Sequence, residues 1–308
     1  MYRLLSGVFL GWSLGANNSA NNFGTAVFSQ KIRYRTAVIL CAVFVIVGAL
    51  LEGQAGMRTL GGLVEQTANS AFAATLAAAL TATLMSVLKL PISTSQAMVG
   101  AIIGIGILRG EINFGGLTKV VIAWIATPIG SVIATMILYP LVGRLLRLLR
   151  FNIFTRDLVL KWGLIVAGCY GSYALGANNV ANVTGLYTQT GQLTLFQATL
   201  LGGVSIAIGA LTYSKNVMIT VGKRLVSLDP FSAFIAVFSM AAVVHGFAII
   251  GVPVSTSQGI VGSVLGIGIL KGVQTIKIRT LVMILFGWIG TPTVALVFAY
   301  LLFRFLYM

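Results

Sequence analysis

The stretch Leu14-Gly15-Ala16-Asn17-Asn18-Ser19-Ala20-Asn21 recurs as Leu175-Gly176-Ala177-Asn178-Asn179-Val180-Ala181-Asn182, 161 residues later. Pro91-Ile92-Ser93-Thr94-Ser95-Gln96 recurs as Pro253-Val254-Ser255-Thr256-Ser257-Gln258, 162 residues later, and the match continues from Gly104–Leu108 to Gly266–Leu270. Trp124-Ile125-Ala126-Thr127-Pro128 is echoed by Trp288-Ile289-Gly290-Thr291-Pro292, 164 residues later. Three motifs in one order at a nearly constant offset indicate a duplication. The chain reads as two homologous halves, 1–152 and 153–308, joined by a basic linker.

Composition supplies the setting. Of 308 residues, 20 are Lys or Arg and 5 are Asp or Glu, while 58% are apolar. Charged residues make up 8%, against about 25% in soluble domains. So little charge cannot cover a soluble globule, which points to an integral membrane protein. The net charge of +15 does not indicate nucleic acid, because the basic residues stand singly or in short groups between apolar runs. That distribution is typical of membrane topology signals. Cys41 and Cys169 lie inside apolar runs and do not form a disulfide framework. The polar stretch Asn17–Asn22 argues against a cleaved leader.

Apolar runs fall near 4–29, 36–51, 66–88, 91–108 and 118–143 in the first half. The second half has 159–190, 195–213, 230–250, 254–270 and 280–303, with 214–229 read as an interfacial stretch. With every run crossing and the N-terminus outside, 15 basic residues lie inside and 5 outside, as topology rules favour. An odd number of spans inserts the halves in opposite senses, the architecture of secondary transporters with a site at the midplane. The expected fold is an all-α polytopic membrane protein of two inverted repeats, about five segments each, with broken or re-entrant helices at the repeated motifs.

Two polar motifs, each present twice, define the candidate site. Asn17, Asn18, Asn21 and Asn22 lie ~22 Å into the first run, near the middle of a ~30 Å core. Asparagine has low helix propensity, and Gly15 and Gly24 flank the cluster. A broken helix is expected there, with amides and backbone groups facing a cavity. Ser93-Thr94-Ser95-Gln96 and Ser255-Thr256-Ser257-Gln258 each follow a proline, the pattern of a helix start. Hydroxyls and free N–H groups at a helix N-terminus bind anions without formal positive charge. The competing reading is simple capping. Glu52 reads as a mark of the membrane edge, with a cation or proton role as the alternative. His245, the one histidine, reads as packed and hydrogen-bonded rather than as a proton relay. The sequence contains no metal-ligand spacing, carboxylate dyad, nucleophile triad or nucleotide loop, so it does not read as an enzyme.

The repeated Gly-Ala-Asn-x-x-Ala-Asn and Pro-x-Ser-Thr elements resemble the inorganic phosphate transporter (PiT) family, in its order and spacing over essentially the whole chain. The resemblance implies a cation-coupled phosphate symporter of inverted repeats. It further implies a homodimer in the lipid of a plasma membrane, both termini outside, with sodium or a proton as coupling ion and no other cofactor. It assigns substrate binding to Ser93, Thr94, Ser95, Gln96, Ser255, Thr256, Ser257 and Gln258, with Asn17 and Asn178. Asn18, Asn21, Asn179 and Asn182 are assigned to the coupling ion. The family pattern has Asp where this chain has Asn18 and Asn179, and often His where it has Gln96 and Gln258. Amides replace titratable groups at all four places. Such a site no longer excludes sulfate, which carries no donor hydroxyl. The sequence therefore predicts alternating-access transport of a tetrahedral oxyanion, phosphate first. Sulfate transport or an uncoupled anion channel is the alternative.

Overall fold

A computed structural model describes residues 2–87, 92–225, 228–272 and 278–307. Its regular elements are helices: α1 (Leu4–Phe28), α2 (Tyr34–Glu52), α3 (Gln54–Gly61), α4 (Ala68–Val87), α5 (Thr94–Arg109), α6 (Phe114–Leu148), α7 (Ile153–Gln189), α8 (Leu195–Leu225), α9 (Pro230–Ile249), α10 (Thr256–Lys271) and α11 (Ile278–Tyr307). Among the described residues, α2, α4, α6, α7, α8, α9 and α11 are long and apolar enough to cross a bilayer. On α6, Ile125, Ile129, Ile133, Ile137 and Leu141 are exposed at four-residue spacing, while Thr127, Ser131 and Thr135 are buried. This arrangement gives the helix an apolar stripe outward and small polar residues inward.

Glycines lock the two halves of the chain together. Helix α1 lies against α8, and α2 against α7. A Cβ at Gly15 would stand 1.9 Å from the Ile206 carbonyl oxygen, and one at Gly176 would stand 2.0 Å from that of Val45. Gly48 meets the Tyr173 oxygen at 2.1 Å, and Gly209 meets the Trp12 oxygen at 2.0 Å. Each contact is matched by another in which both partners are displaced by 161 residues and the halves exchanged. The same holds further along. Gly100 on α5 meets the Pro292 oxygen of α11 at 2.2 Å, and Gly262 on α10 meets the Pro128 oxygen of α6 at 2.3 Å. Backbones this close admit no side chain, so small residues set the packing.

Helices α4 and α5 form a hairpin. Ser6 Oγ on α1 lies 2.6 Å from Thr75 Oγ1 on α4, and Asn17 Nδ2 donates to Ser86 Oγ at 3.2 Å. Both pairs are 69 residues apart, so α4 runs alongside α1 in the same direction. It ends level with Asn17, halfway along α1. Helix α5 then returns. Arg109 Nη1 donates to the Glu65 carbonyl at 2.7 Å and Asn113 Nδ2 to that of Gly62 at 3.1 Å, closing the base. Helices α9 and α10 form the second hairpin, its base closed by the Lys271–Asp229 ion pair. Helices α5 and α10 have 16 residues each, about 24 Å against a core of ~30 Å. Helices α5 and α10 are therefore shorter than a full crossing needs, whereas α4 and α9 are long enough to span.

One expectation is corrected. Helices α1 and α7 run unbroken through Asn17–Asn22 and Asn178–Asn182. Tertiary packing overrides low propensity there, so the backbone groups stay in the helix and only the amide side chains are offered. The stretch 214–229, read as interfacial, includes the last turns of α8, which runs to Leu225. Glu52 closes α2, and the chain runs on through Gly53 into α3. A Cβ on Gly53 would lie 2.3 Å from Val180 Cγ1. Helix α3 then follows α7, with Gly61 beside Gln189. Glu52 is thus level with the asparagine turn of α7.

Asp229 caps α9, accepting from the amides of Phe231 at 3.0 Å and Ser232 at 3.1 Å. Burial pushes its carboxyl up, but bonds from Lys271 and Ser232 outweigh burial and hold it down at about 2. The clamp's contribution is full above the ordinary carboxylate pKa of about 3.9 and is lost as pH falls through about 2. Gly15→Val and Gly176→Val are each expected to destabilise by about 1–3 kcal/mol through overpacking. Gly290→Ala, with nothing within 4 Å of its added carbon, should be neutral or gain about 0.5–1 kcal/mol. Thermal unfolding of the purified protein in detergent checks the ordering, and a Gly176→Val midpoint equal to that of Gly290→Ala contradicts it.

Candidate functional site

Both hairpin tips end against the asparagine turns. On one side, Asn182 Nδ2 of α7 donates to Ser95 Oγ of α5 at 3.0 Å. On the other, Asn21 Nδ2 of α1 donates to Ser257 Oγ of α10 at 3.2 Å. The second bond joins the counterparts of the first pair, with the halves exchanged. Ser95 Oγ in turn donates to the Val254 carbonyl at 2.8 Å, which ties the tip of the first hairpin to that of the second. It also lies 3.3 Å from Asn179 Oδ1, itself 3.1 Å from Asn182 Nδ2.

Asn178 clasps the backbone of the second tip. Its Oδ1 accepts from the Val254 amide at 3.1 Å, and its Nδ2 donates to the Val252 carbonyl at 3.4 Å. Asn17 holds the first hairpin through Ser86 and donates at 3.0 Å to the Ser13 carbonyl of its own helix. Asn18 is 5% exposed, on the turn shared with these groups.

The helix starts are as the sequence predicts, but their first hydroxyls serve as caps. Ser93 Oγ accepts from the Gln96 amide at 3.3 Å, and Ser255 Oγ from the Gln258 amide at 3.2 Å. The capping reading therefore holds for these two serines, and the outward-reaching hydroxyls are those of Ser95 and Ser257. A helix start still leaves its first N–H groups without intrahelical partners. Here those belong to Thr94 and Ser95 on α5, and to Thr256 and Ser257 on α10.

Four buried polar atoms in this group have no hydrogen-bond partner among the described residues: Gln96 Oε1, Gln258 Oε1, Asn182 Oδ1 and Thr256 Oγ1. Orphaned buried polar atoms are costly, and these four lie where a ligand could satisfy them, while ten others are spread over the described residues. Each amide offers oxygen to a cation or, rotated, nitrogen to an anion. The donor set is wholly uncharged. Among the described residues no cluster of three or more His, Cys, Asp or Glu could hold a metal ion.

Sequence reading missed Ser86, the carbonyls of Val252 and Val254, and the Tyr187–Ser6–Thr75 cluster that anchors α4. One usable signal existed. Ser6 and Asn17 are spaced like Thr75 and Ser86, eleven residues or three helical turns apart, on two helices that meet.

Comparison with known proteins agrees with this geometry. The phosphate transporter family (PHO4) matches over residues 14–299. "Putative phosphate permease MJ0630" of Methanocaldococcus jannaschii is 31% identical, covering 98% of this chain and 96% of that protein. "Sulfate permease CysP" of Bacillus subtilis is 30% identical, covering 97% and 86%. A solved structure titled "The sodium-dependent phosphate transporter" superposes with a TM-score of 0.87 at 21% identity, covering 99% of both chains, and shows that the fold is shared. The chain is a multi-pass membrane transporter, not an enzyme, and belongs to the phosphate transporter family.

Proposed function

We propose that the chain moves a small tetrahedral oxyanion, phosphate first, through a site shared by two oppositely inserted halves, 1–152 and 153–308. The pair of bonds Asn182–Ser95 and Asn21–Ser257 carries this reading. They place equivalent hydroxyls of two hairpin tips against equivalent asparagines, halfway along the crossing helices. The exchanged glycine contacts support the same two-fold relation.

The mechanism follows from the hairpins. Each tip reaches mid-depth from one side, so rocking one hairpin away from its asparagine turn opens the centre to that side only. The anion is held by N–H and O–H dipoles: Ser95, Ser257, the first amides of α5 and α10, and the side-chain amides of Gln96 and Gln258. Ser93 and Ser255 keep those helix starts in shape, and Thr94 and Thr256 line the same turns. Asn17 and Asn178 position the tips.

Asn18, Asn21, Asn179 and Asn182 offer oxygens to a coupling cation. Sodium accepts such neutral oxygens but is held more weakly than by carboxylates. The protein is read as a homodimer of the plasma membrane with both termini outside. Arg33, Arg35, Arg144, Arg147 and Arg150 gather on the side where α1 ends, as an inside face requires.

Sulfate is the second reading, favoured by one observation. With no carboxylate in the donor set, nothing repels an anion that lacks a donor proton. The test is uptake of labelled phosphate and sulfate into proteoliposomes, with sodium and pH varied separately. Saturable phosphate uptake is expected, with sulfate competing. Ser95→Ala combined with Ser257→Ala should lower uptake at least about tenfold, the equivalent of ~1.4 kcal/mol. Asn18→Asp with Asn179→Asp should strengthen cation dependence and weaken sulfate competition. If neither anion is moved or competes, the oxyanion reading fails. Flux that does not saturate and never runs uphill identifies a channel.

A further inference from the structure

The anion centre contains no group that titrates near neutral pH, yet a titratable pair sits beside it. His245 Nε2 on α9 lies 2.6 Å from Glu52 Oε2 at the end of α2. His245 Nδ1 lies 3.0 Å from the Tyr170 hydroxyl on α7. The rings of Tyr170 and Tyr173 stand edge-on to the imidazole at 5.5 and 5.4 Å.

The placement is unusual within this chain. Asp157, Asp229 and Glu111 are paired with Lys31, Lys271 and Arg109 near helix ends. Glu52 instead sits level with the asparagine turn of α7, and the apolar side chains Leu51, Ile249 and Ile250 next to the pair in sequence are exposed. The duplication does not repeat the pair. The offsets that relate the halves place Tyr213 opposite Glu52 and Thr83 opposite His245. Tyr213 packs on Trp12 at 5.4 Å, and the Thr83 hydroxyl bonds back to its own helix at Ala79. The imidazole–carboxylate pair therefore marks one hairpin only.

We propose that Glu52 and His245 form the binding site of a coupling proton, which controls release of the second hairpin; this rests on the transporter reading above. Protonated, the pair is an imidazolium facing a carboxylate, with no net charge in an apolar belt. Losing the proton from the imidazole leaves one uncompensated negative charge level with the asparagine turn. That charge is relieved when α9 moves and Glu52 reaches water. The mechanical link is short. His245 lies five residues before Ile250, where the hairpin turns to Val252 and Val254, the backbone that Asn178 and Ser95 hold. Glu52 lies at the break between α2 and α3.

Among the described residues, the other charged groups of the packed elements stand away from the pair: Arg35 on α2 and Arg156, Asp157 and Lys161 on α7 lie near the starts of their helices, and Lys215 on α8 follows Ser214, which bonds Tyr34 at the start of α2. Helix α1 carries none, and α6 carries none between Val120 and Tyr139. On α10 the charged residue is Lys271, at the hairpin base with Asp229, and on α3 it is Arg58, in the cavity beside Thr188 and Leu193. The titratable neighbours are the tyrosines of α7, Tyr170 and Tyr173.

The test is uptake of labelled phosphate and sulfate into proteoliposomes with the membrane potential clamped at zero. With one pH unit imposed, acid outside, the wild type should accumulate anion up to about tenfold for a one-proton step. A protonophore should abolish this accumulation. Glu52→Gln and His245→Gln should each lose gradient-driven accumulation and keep exchange of labelled for unlabelled anion, which also reports that they fold. Tyr170→Phe, which leaves the imidazole and carboxylate in place, should keep accumulation. Gradient-driven accumulation that survives in both variants overturns the proposal, as does a wild type indifferent to the gradient. A wild type that moves neither anion sinks the transporter reading instead. Proton uptake on acidifying the purified protein from pH 8 to 5 then decides the site alone. The wild type should take up one proton more than the combined Glu52→Gln, His245→Gln variant, and equal uptake overturns the site.

Discussion

The Ser95 hydroxyl gives 2.8 Å to the Val254 carbonyl and receives 3.0 Å from Asn182. Through that oxygen the start of α5, the start of α10 and helix α7 are joined deep inside the bundle. Water is scarce there, so a polar group must find its partner within the protein or in a ligand. Much of the architecture follows from that requirement. The hairpins can end inside the protein because their first hydroxyls cap them and the asparagines of α1 and α7 receive the remainder. The crossing helices can carry asparagines because the tips arrive opposite them.

The requirement also explains the glycines. Hairpin tips meet asparagine turns only if α1 and α8, and α2 and α7, approach to backbone contact. Gly15, Gly48, Gly176 and Gly209 make that approach. The packing then fixes depth to within a helical turn, which explains why the same bond appears in both halves. Neutral dipoles held so closely can accept an anion without a resident counter-charge. They can also let it leave, which a buried arginine would resist.

Much of this was legible in the residues. The duplication, the helix starts at Ser93 and Ser255, and the meeting of hydroxyls with asparagines follow from repeated motifs and capping chemistry. What was not legible depended on depth and partnership. Asparagine propensity suggested a break in α1, but tertiary contacts with α8 and α7 hold the helix continuous. Apolar length could not distinguish a run that crosses from one that turns back, since α4 is long enough for either. Glu52 reads as an edge residue because an apolar run ends there, and its place level with the asparagine turn of α7 emerges only from packing. Its pairing with His245, 193 residues away, has no local sequence signal.

The most direct test of the account is an anomalous difference map from crystals grown with arsenate, a tetrahedral analogue of phosphate. The account predicts one peak within hydrogen-bonding reach of Ser95 or Ser257 and the first amides of α5 or α10, absent when both serines are alanine. A peak confined to the arginines at the end of α6, with none between the hairpin tips, would contradict it.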